Sequence, residues 1–270
     1  MLAELAPRAA LLHTEPLTGG VSATVTALEV LQGGQRQKWV LRQYGVRDLA
    51  TKPRVAAQEF ALLERLYAAG LPVPKPLAYT AGALLTEFLN GQNGTQTPPD
   101  PIQMAQFLAR LHAVEAASVG LPALSSPPTN TIPDESLSES NIRATLSAFS
   151  EPIAPSVMLH GDFWAGNTLW DGGQLSGVID WEDAALGPAL ADLSNGRLEL
   201  LFFAGEAAMH ALTAEYRRLT AANFSALPYW DLRAALRLCG RLHTWGLPEL
   251  QEGQMREQHA WFVKQACSAL

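Results

Sequence analysis

Val157-Met-Leu-His-Gly-Asp-Phe-Trp-Ala-Gly-Asn-Thr-Leu-Trp170, followed by Asp171-Gly-Gly-Gln-Leu-Ser-Gly-Val-Ile-Asp180, is the stretch on which the fold turns. Gly172-Gly173 suits a tight hairpin turn, and short apolar runs of strand type flank it. A hairpin centred there brings Asn167, at the start of one strand, and Asp180, at the end of the other, to the same open end. Their Cα atoms would lie roughly 5 Å apart. An amide oxygen and a carboxylate at one point make hard-oxygen ligation suited to Mg2+, which takes one or two protein carboxylates and completes its octahedron with phosphate and water.

Asp162 sits before Asn167 on the irregular stretch leading into the hairpin, placed to accept a proton from, or to orient, an attacking hydroxyl. Where the transition state is largely dissociative, positioning and charge neutralisation matter more than base strength, so an ordinary aspartate is adequate. His160 is expected to hold this loop by hydrogen bonds. The competing reading makes His-x-Asp a capped turn and Asp180 a surface carboxylate.

Upstream, residues 21–31 and 38–44 are apolar and β-branched around Gly33-Gly34, an antiparallel hairpin pattern. A helix is expected next, with Thr51 as N-cap, Pro53 in the first turn and Gly70 as the stop; Val55, Glu59, Leu62, Leu63 and Leu66 share its inner stripe. Prolines at 72, 74 and 76 break it, and 77–79 and 83–89 read as two more strands. Residues 90–101 read as a linker. Helical patterns then cover roughly 101–116, 134–149, 188–203, 205–220, 228–245 and 250–268, interrupted by the β segment 157–180.

With 270 residues, 48% of them hydrophobic, the chain can bury sizeable cores. A net charge of −7 has the wrong sign for a life on nucleic acid or anionic membrane, so neither is expected as a partner. The charge is uneven: residues 1–90 hold nine basic and seven acidic side chains, the rest ten and nineteen. Cys239 and Cys267 make neither a disulfide framework nor a metal cluster and suit a reducing cytosol. The first twelve residues show a short amphipathic helical pattern, not a leader's basic flank and apolar run, and no stretch suits a membrane span. A cytoplasmic location is the expectation.

His160-Gly-Asp162 with Asn167, then Ile179-Asp180-Trp-Glu-Asp-Ala, then Gly187-Pro188 with Asp192-Leu193, resembles the aminoglycoside phosphotransferase and choline kinase superfamily, as does the order of elements along the chain. The resemblance implies an α+β, two-lobed protein-kinase-like fold. Residues 1–90 would form a nucleotide-binding lobe of antiparallel sheet with one main helix; residues 91–270 would form a larger, mostly helical lobe for catalysis and acceptor binding. It implies ATP and Mg2+ as cofactors and, as partner, a small-molecule hydroxyl acceptor resembling an aminoglycoside, sugar or amino alcohol. Asp162 would be the catalytic aspartate, Asn167 and Asp180 the metal ligands, and Asp192 a structural residue steadying the catalytic loop.

Glu59 interrupts an apolar stripe and should point inward, where a carboxylate needs a cation. Arg42, on the strand before this helix, is the natural partner, and Trp39-Val-Leu-Arg42 resembles the kinase strand whose lysine reaches the α- and β-phosphates. Arginine keeps the charge and adds a bidentate fork. Lys38 lies on the same strand face but about 13 Å away at strand rise.

The turn at 17–22, with Gly19, Gly20 and Ser22, resembles the nucleotide-covering turn, although an ordinary hairpin explains the glycines equally. Residues 85–89, including Glu87 and Leu89, resemble the hinge whose backbone amides would meet the adenine edge. For the acceptor the clues conflict. Glu182 and Asp183 would suit a polycation or form a solvated turn; Arg233, Arg237 and Arg241, beside Trp230 and Trp245, would hold an anion or make a salt-bridged helix face, the commoner case.

Three other readings compete. A protein kinase is disfavoured because Trp-Glu follows Asp180 where Phe-Gly is expected and no Ala-Pro-Glu segment follows. A nucleotide-binding pseudoenzyme or sensor would not need Asp162. A metal hydrolase would expect paired histidine ligands, and the other five histidines show no such spacing. Oligomeric state and nucleotide preference are not legible.

Overall fold

The structure is a computed structural model. It describes residues 2–17, 23–115 and 119–270, with Arg47 and Asp48 described by their backbone alone. In chain order the elements are α1 (Leu2–Leu5), β1 (Ala10–Leu17), β2 (Ala23–Gln32), β3 (Gln35–Tyr44), α2 (Val46–Thr51), α3 (Val55–Ala68), β4 (Pro76–Thr80), β5 (Ala83–Glu87) and β6 (Gln92–Asn93). There follow α4 (Pro101–His112), α5 (Glu139–Ser147), β7 (Ser156–Leu159), β8 (Thr168–Asp171), β9 (Gln174–Val178), β10 (Ala185–Pro188), α6 (Leu190–Ala204), α7 (Glu206–Leu219), α8 (Leu227–Leu236) and α9 (Glu249–Ala269). The chain divides into two compact units. One comprises Met1–Gln92, Ala117–Leu121 and Leu169–Glu182; the other comprises Asn93–Ala116, Pro122–Thr168 and Asp183–Leu270. Neither is continuous in sequence; the Gly172-Gly173 hairpin, for one, groups with the N-terminal residues.

The first unit is built on a five-stranded antiparallel sheet in the order β1-β2-β3-β5-β4. Gly33 (φ 57°) and Gly34 (φ 79°) close the β2–β3 hairpin in the left-handed region, where an L side chain is strained although nothing would obstruct it sterically. Strand alternation sorts β3 into two faces. Trp39 and Leu41 enter a core with Leu5, Leu28, Val30, Ala83 and Leu85. Arg42 and Tyr44 both reach Glu59 on α3, whose buried stripe is Val55, Ala56, Glu59, Leu62, Leu63 and Leu66.

Two expectations in this unit are corrected. The N-terminal helix ends at Leu5, just before Pro7, and Ala10–Leu17 pairs with β2 as an edge strand, leaving Leu11 and Leu12 exposed. Thr51 ends α2 and does not cap α3; the break falls at Lys52-Pro53, as the bias of a pre-proline residue away from helix requires, and Arg54 stands at the N-cap without a side-chain hydrogen bond.

The second unit is mostly helical. Asp100 caps α4 by accepting the N–H of Ile102, with Pro101 at the first turn. α6 is buried along most of its length and packs against α7 and α8. It is tied to them by Arg197, whose fork binds both carboxylate oxygens of Asp231 at 3.1 Å and reaches the Thr213 hydroxyl. The apolar core includes Ile142, Leu198, Met209, Leu232, Leu242 and Phe262. The helix expected over 228–245 stops at Leu236. Gly240 (φ 71°) turns the chain there, and a Cβ at that position would press on Asn130.

Candidate active site

In the second unit, β7 delivers His160, Gly161 and Asp162 from the sheet into an irregular loop. His160 is fully buried. Its backbone N–H donates to Asp192 Oδ2 at 2.6 Å and that of Gly161 to Asp192 Oδ1 at 2.9 Å, so one carboxylate at the start of α6 pins two successive amides. The His160 ring turns back on its own loop, where Nδ1 accepts the Asp162 N–H at 3.2 Å. Gly161 has φ 85°, and a Cβ there would lie 1.9 Å from the Asp183 carbonyl oxygen; only glycine fits.

Asp192 is itself held by His112, whose Nε2 is 3.4 Å from Oδ2 and whose Nδ1 is 2.6 Å from the Tyr216 hydroxyl. Burial acts to raise the Asp192 carboxyl; the His112 contact, nearby imidazole charge and the Gly161 amide outweigh it and hold the group below its ordinary value.

The loop carries Asp162 and Asn167. Asn167 donates its amide N–H2 to the Asp162 carbonyl at 2.9 Å and to Asp162 Oδ2 at 3.2 Å, a pattern that orients its own oxygen away from them. Asn93 supports the same loop by donating to the Gly166 carbonyl. Asp162 Oδ1 meets Arg237 Nη2 at 2.9 Å, and Arg237 also binds the Gly161 carbonyl. Of the expected salt-bridged arginine face, Arg233 keeps that character, pairing with Glu151 at 3.1 Å, whereas Arg237 pairs with the loop that carries Asp162. Glu199, buried on α6, has its carboxyl pushed up to about 8 by burial first and by the negative charge of Asp162 second, with Arg237 opposing.

In the first unit, Arg42 gathers three carboxylates. Its Nη2 lies 2.6 Å from Glu182 Oε2 and 2.8 Å from Asp180 Oδ1, and Nη1 lies 3.8 Å from Glu59 Oε1. Burial works against the guanidinium's charge, but the three carboxylates dominate and strengthen it. Glu59 also accepts the Tyr44 hydroxyl at 2.7 Å; its burial raises the carboxyl, while Arg42 and Tyr44 restrain the rise. Lys38 points elsewhere, to Glu29 at 3.8 Å on the surface. Asp180 follows β9 with φ 67°, a left-handed backbone unusual for a residue with a side chain and concentrated at functional sites. Its Oδ1 is buried and, although ion-paired, makes no hydrogen bond.

The structure thus brings together Arg42, Glu59 and Asp180 in one unit and Asp162 and Asn167 in the other. Gly19, Gly20 and Ser22 lie outside the described residues. In the expected hinge, the Glu87 N–H donates to the Lys75 carbonyl and the Phe88 N–H to the Lys38 carbonyl, so two of the stretch's amides serve the sheet. The Leu89 side chain lies against Gly177. The sequence leaves Glu182 between an acceptor contact and a solvated turn, and Arg237 between an anion contact and a salt-bridged helix face; it does not single out Tyr44, His112 or Glu199. Tyr44, two residues beyond Arg42 on the same face, and Glu199, a lone carboxylate in an apolar helix, carried a readable signal; His112 carried none. Among the described residues no group of three or more His, Cys, Asp or Glu forms a metal cluster.

A model of the phosphotransferase enzyme family (APH) matches residues 13–222. Stress response kinase A of Shigella flexneri is 27% identical over 190 residues, covering 60% of this chain and 57% of that protein. Acyl-CoA dehydrogenase family member 11 of Rattus norvegicus is 27% identical over 207 residues, covering 64% and 26%. The chain therefore spans less than two thirds of the length of these curated relatives. Among solved structures, macrolide 2'-phosphotransferase MphH from Brachybacterium faecium superimposes with a TM-score of 0.64 at 19% identity, covering 100% of this chain and 95% of that one. A thermostable mutant of aminoglycoside phosphotransferase APH(4)-Ia, in complex with AMP-PNP and hygromycin B, gives 0.63 at 16% identity with 94% of each chain covered. At these identities the likeness establishes the α+β kinase-like fold.

Proposed function

We propose that this chain, which belongs to the phosphotransferase enzyme family, transfers the γ-phosphoryl group of Mg2+-bound ATP to a hydroxyl of a small molecule. The observation that carries this reading is the loop bearing Asp162 and Asn167, pinned through two backbone amides to the buried carboxylate of Asp192. A loop held so tightly presents one exposed carboxylate in a fixed place, which a reaction dependent on positioning requires.

In this reading Asp162 accepts, or orients through a hydrogen bond, the proton of the acceptor hydroxyl. Arg42, braced by Glu59, meets the nucleotide's phosphates, and the hinge around Glu87 and Leu89 meets the base. The turn with Gly19, Gly20 and Ser22 covers the phosphates. Asn167 and Asp180 hold Mg2+; the donor set fits, with an amide oxygen of Asn167 directed away from its own loop and the carboxylate of Asp180, ion-paired through Oδ1 with Arg42, as hard-oxygen ligands. When bound, the metal supplies neutralisation of phosphate charge. The AMP-PNP in the APH(4)-Ia complex supports a nucleotide as donor, and hygromycin B there supports a hydroxylated small molecule as acceptor. Dependence on ATP places the reaction in the cytoplasm. Among the described residues no helix is long and apolar enough to cross a membrane.

The test is Mg-ATP-dependent ADP release over aminoglycosides, sugars, amino alcohols, hydroxy acids and nucleosides, with Asp162→Asn as control. Acceptor-dependent release that vanishes in the variant is the expected result. Silence across the panel with intact Mg-ATP binding would instead favour a nucleotide sensor.

A further inference from the structure

Arg237 stands at the residue that the proposed reaction needs most. Its Nη2 is 2.9 Å from Asp162 Oδ1 and its other arm binds the carbonyl of Gly161, yet 32% of the side chain is exposed to solvent. A hydroxyl hydrogen-bonded to Asp162 shares a carboxylate with this guanidinium and so lies within a few ångströms of it. We propose that Arg237 is an anion subsite for the acceptor, so that the molecule phosphorylated carries a carboxylate or phosphate close to its reactive hydroxyl. The inference rests on the reading of Asp162 as the group that meets that hydroxyl.

Three observations converge on an anion. A guanidinium whose side chain is about a third exposed keeps N–H groups beyond those spent on Asp162 and Gly161, and these suit the oxygens of a carboxylate or phosphate. The negative charge of Asp162 is already balanced by Arg237, and the nearby buried Glu199 is largely protonated at neutral pH, so it adds little charge to attract a cation. Arg233, one turn before Arg237, is paired with Glu151. A polyamine acceptor would bring its ammonium groups to a guanidinium, a group of like charge. An acid would exchange water for a charge-assisted contact.

The experiment is calorimetric titration of the intact chain, without nucleotide, with matched pairs: D-glycerate and glycerol, D-gluconate and sorbitol, and glycerol 3-phosphate beside glycerol. Kanamycin serves as polycation. At least one acid should bind tenfold or more tightly than its neutral partner, and its identity separates the carboxylate from the phosphate. Arg237→Gln should erase that preference by weakening the acid at least tenfold more than its neutral partner, and Arg237→Lys should retain part of it; thermal melting establishes that both variants fold. The proposal is overturned if no acid outbinds its neutral partner, if kanamycin outbinds every acid, or if Arg237→Gln weakens both members of a pair equally, the mark of a residue that only positions Asp162. Because no nucleotide is present, the result stands apart from the phosphotransfer reading, which ADP release with the same ligands tests by itself.

Discussion

Asp192 accepts the backbone N–H of His160 at 2.6 Å, and through this contact a helix deep in the second unit sets the course of the loop two residues before Asp162. Asp192→Asn would set an amide N–H2 against one of the two N–H donors that the carboxylate now satisfies. An unsatisfied buried donor costs about 1–3 kcal/mol. Urea denaturation should show a loss of that order, with a parallel fall in turnover. An unchanged midpoint with full activity would remove Asp192 from its role as clamp.

The same carboxylate sets a pH dependence. Its folded pKa lies below the ordinary 3.8, so its contribution to stability is present above that pH and is lost as the pH falls through the folded value. Wild-type protein should lose stability below about pH 4, and Asp192→Asn should lose less there. Equal slopes in acid would contradict the assignment.

Glu199 works with the opposite sign. Its carboxyl is raised from 4.5 to about 8, so the folded state binds the extra proton: the favourable contribution is complete below 4.5 and is lost as the pH rises to about 8. Each pH unit in that window is worth at most about 1.4 kcal/mol. Glu199→Gln, which mimics the protonated group, should flatten the decline in melting temperature between pH 5 and 8. A variant that declines as steeply as wild type would place the titration elsewhere.

Arg42→Ala would strand Glu59, which is 6% exposed, without its cation. Breaking a buried pair from one side costs about 3–5 kcal/mol, so the variant should be strongly destabilised, and Arg42→Lys less so. Both should bind Mg-ATP more weakly. Full nucleotide affinity in Arg42→Lys, which keeps the charge but loses the fork, would show that charge alone suffices.

Asp162→Asn should bind Mg-ATP like wild type while turnover falls by about 10²- to 10⁴-fold, the range for loss of a general base. Turnover near wild type would leave Asp162 as scaffold.

Asp180→Ala should abolish the Mg2+ dependence of nucleotide binding, read by titrating ATP with and without the metal. Identical binding curves for variant and wild type would refute the metal role of Asp180.

The family and the class of fold were legible in the sequence, and the roles proposed for Asp162, Asn167 and Asp180 start from it, because each rests on local order: a two-glycine turn, short apolar strands and polar groups at set distances along one stretch of chain. The Arg42–Glu59 pair was legible for a related reason, since a carboxylate inside a helix's apolar stripe demands a cation and the preceding strand offers one at the right face. What the tertiary structure alone decided is which distant residues close around those groups. Glu182 turns onto Arg42, His112 reaches Asp192 from α4, and Arg237 leaves its own helix's charged face to bind Asp162. Helical spacing predicts which residues share a face, but the direction in which that face points is set by packing against elements far away in sequence. An arginine one turn from a salt-bridged neighbour looks solvated until the loop that it serves is folded beside it.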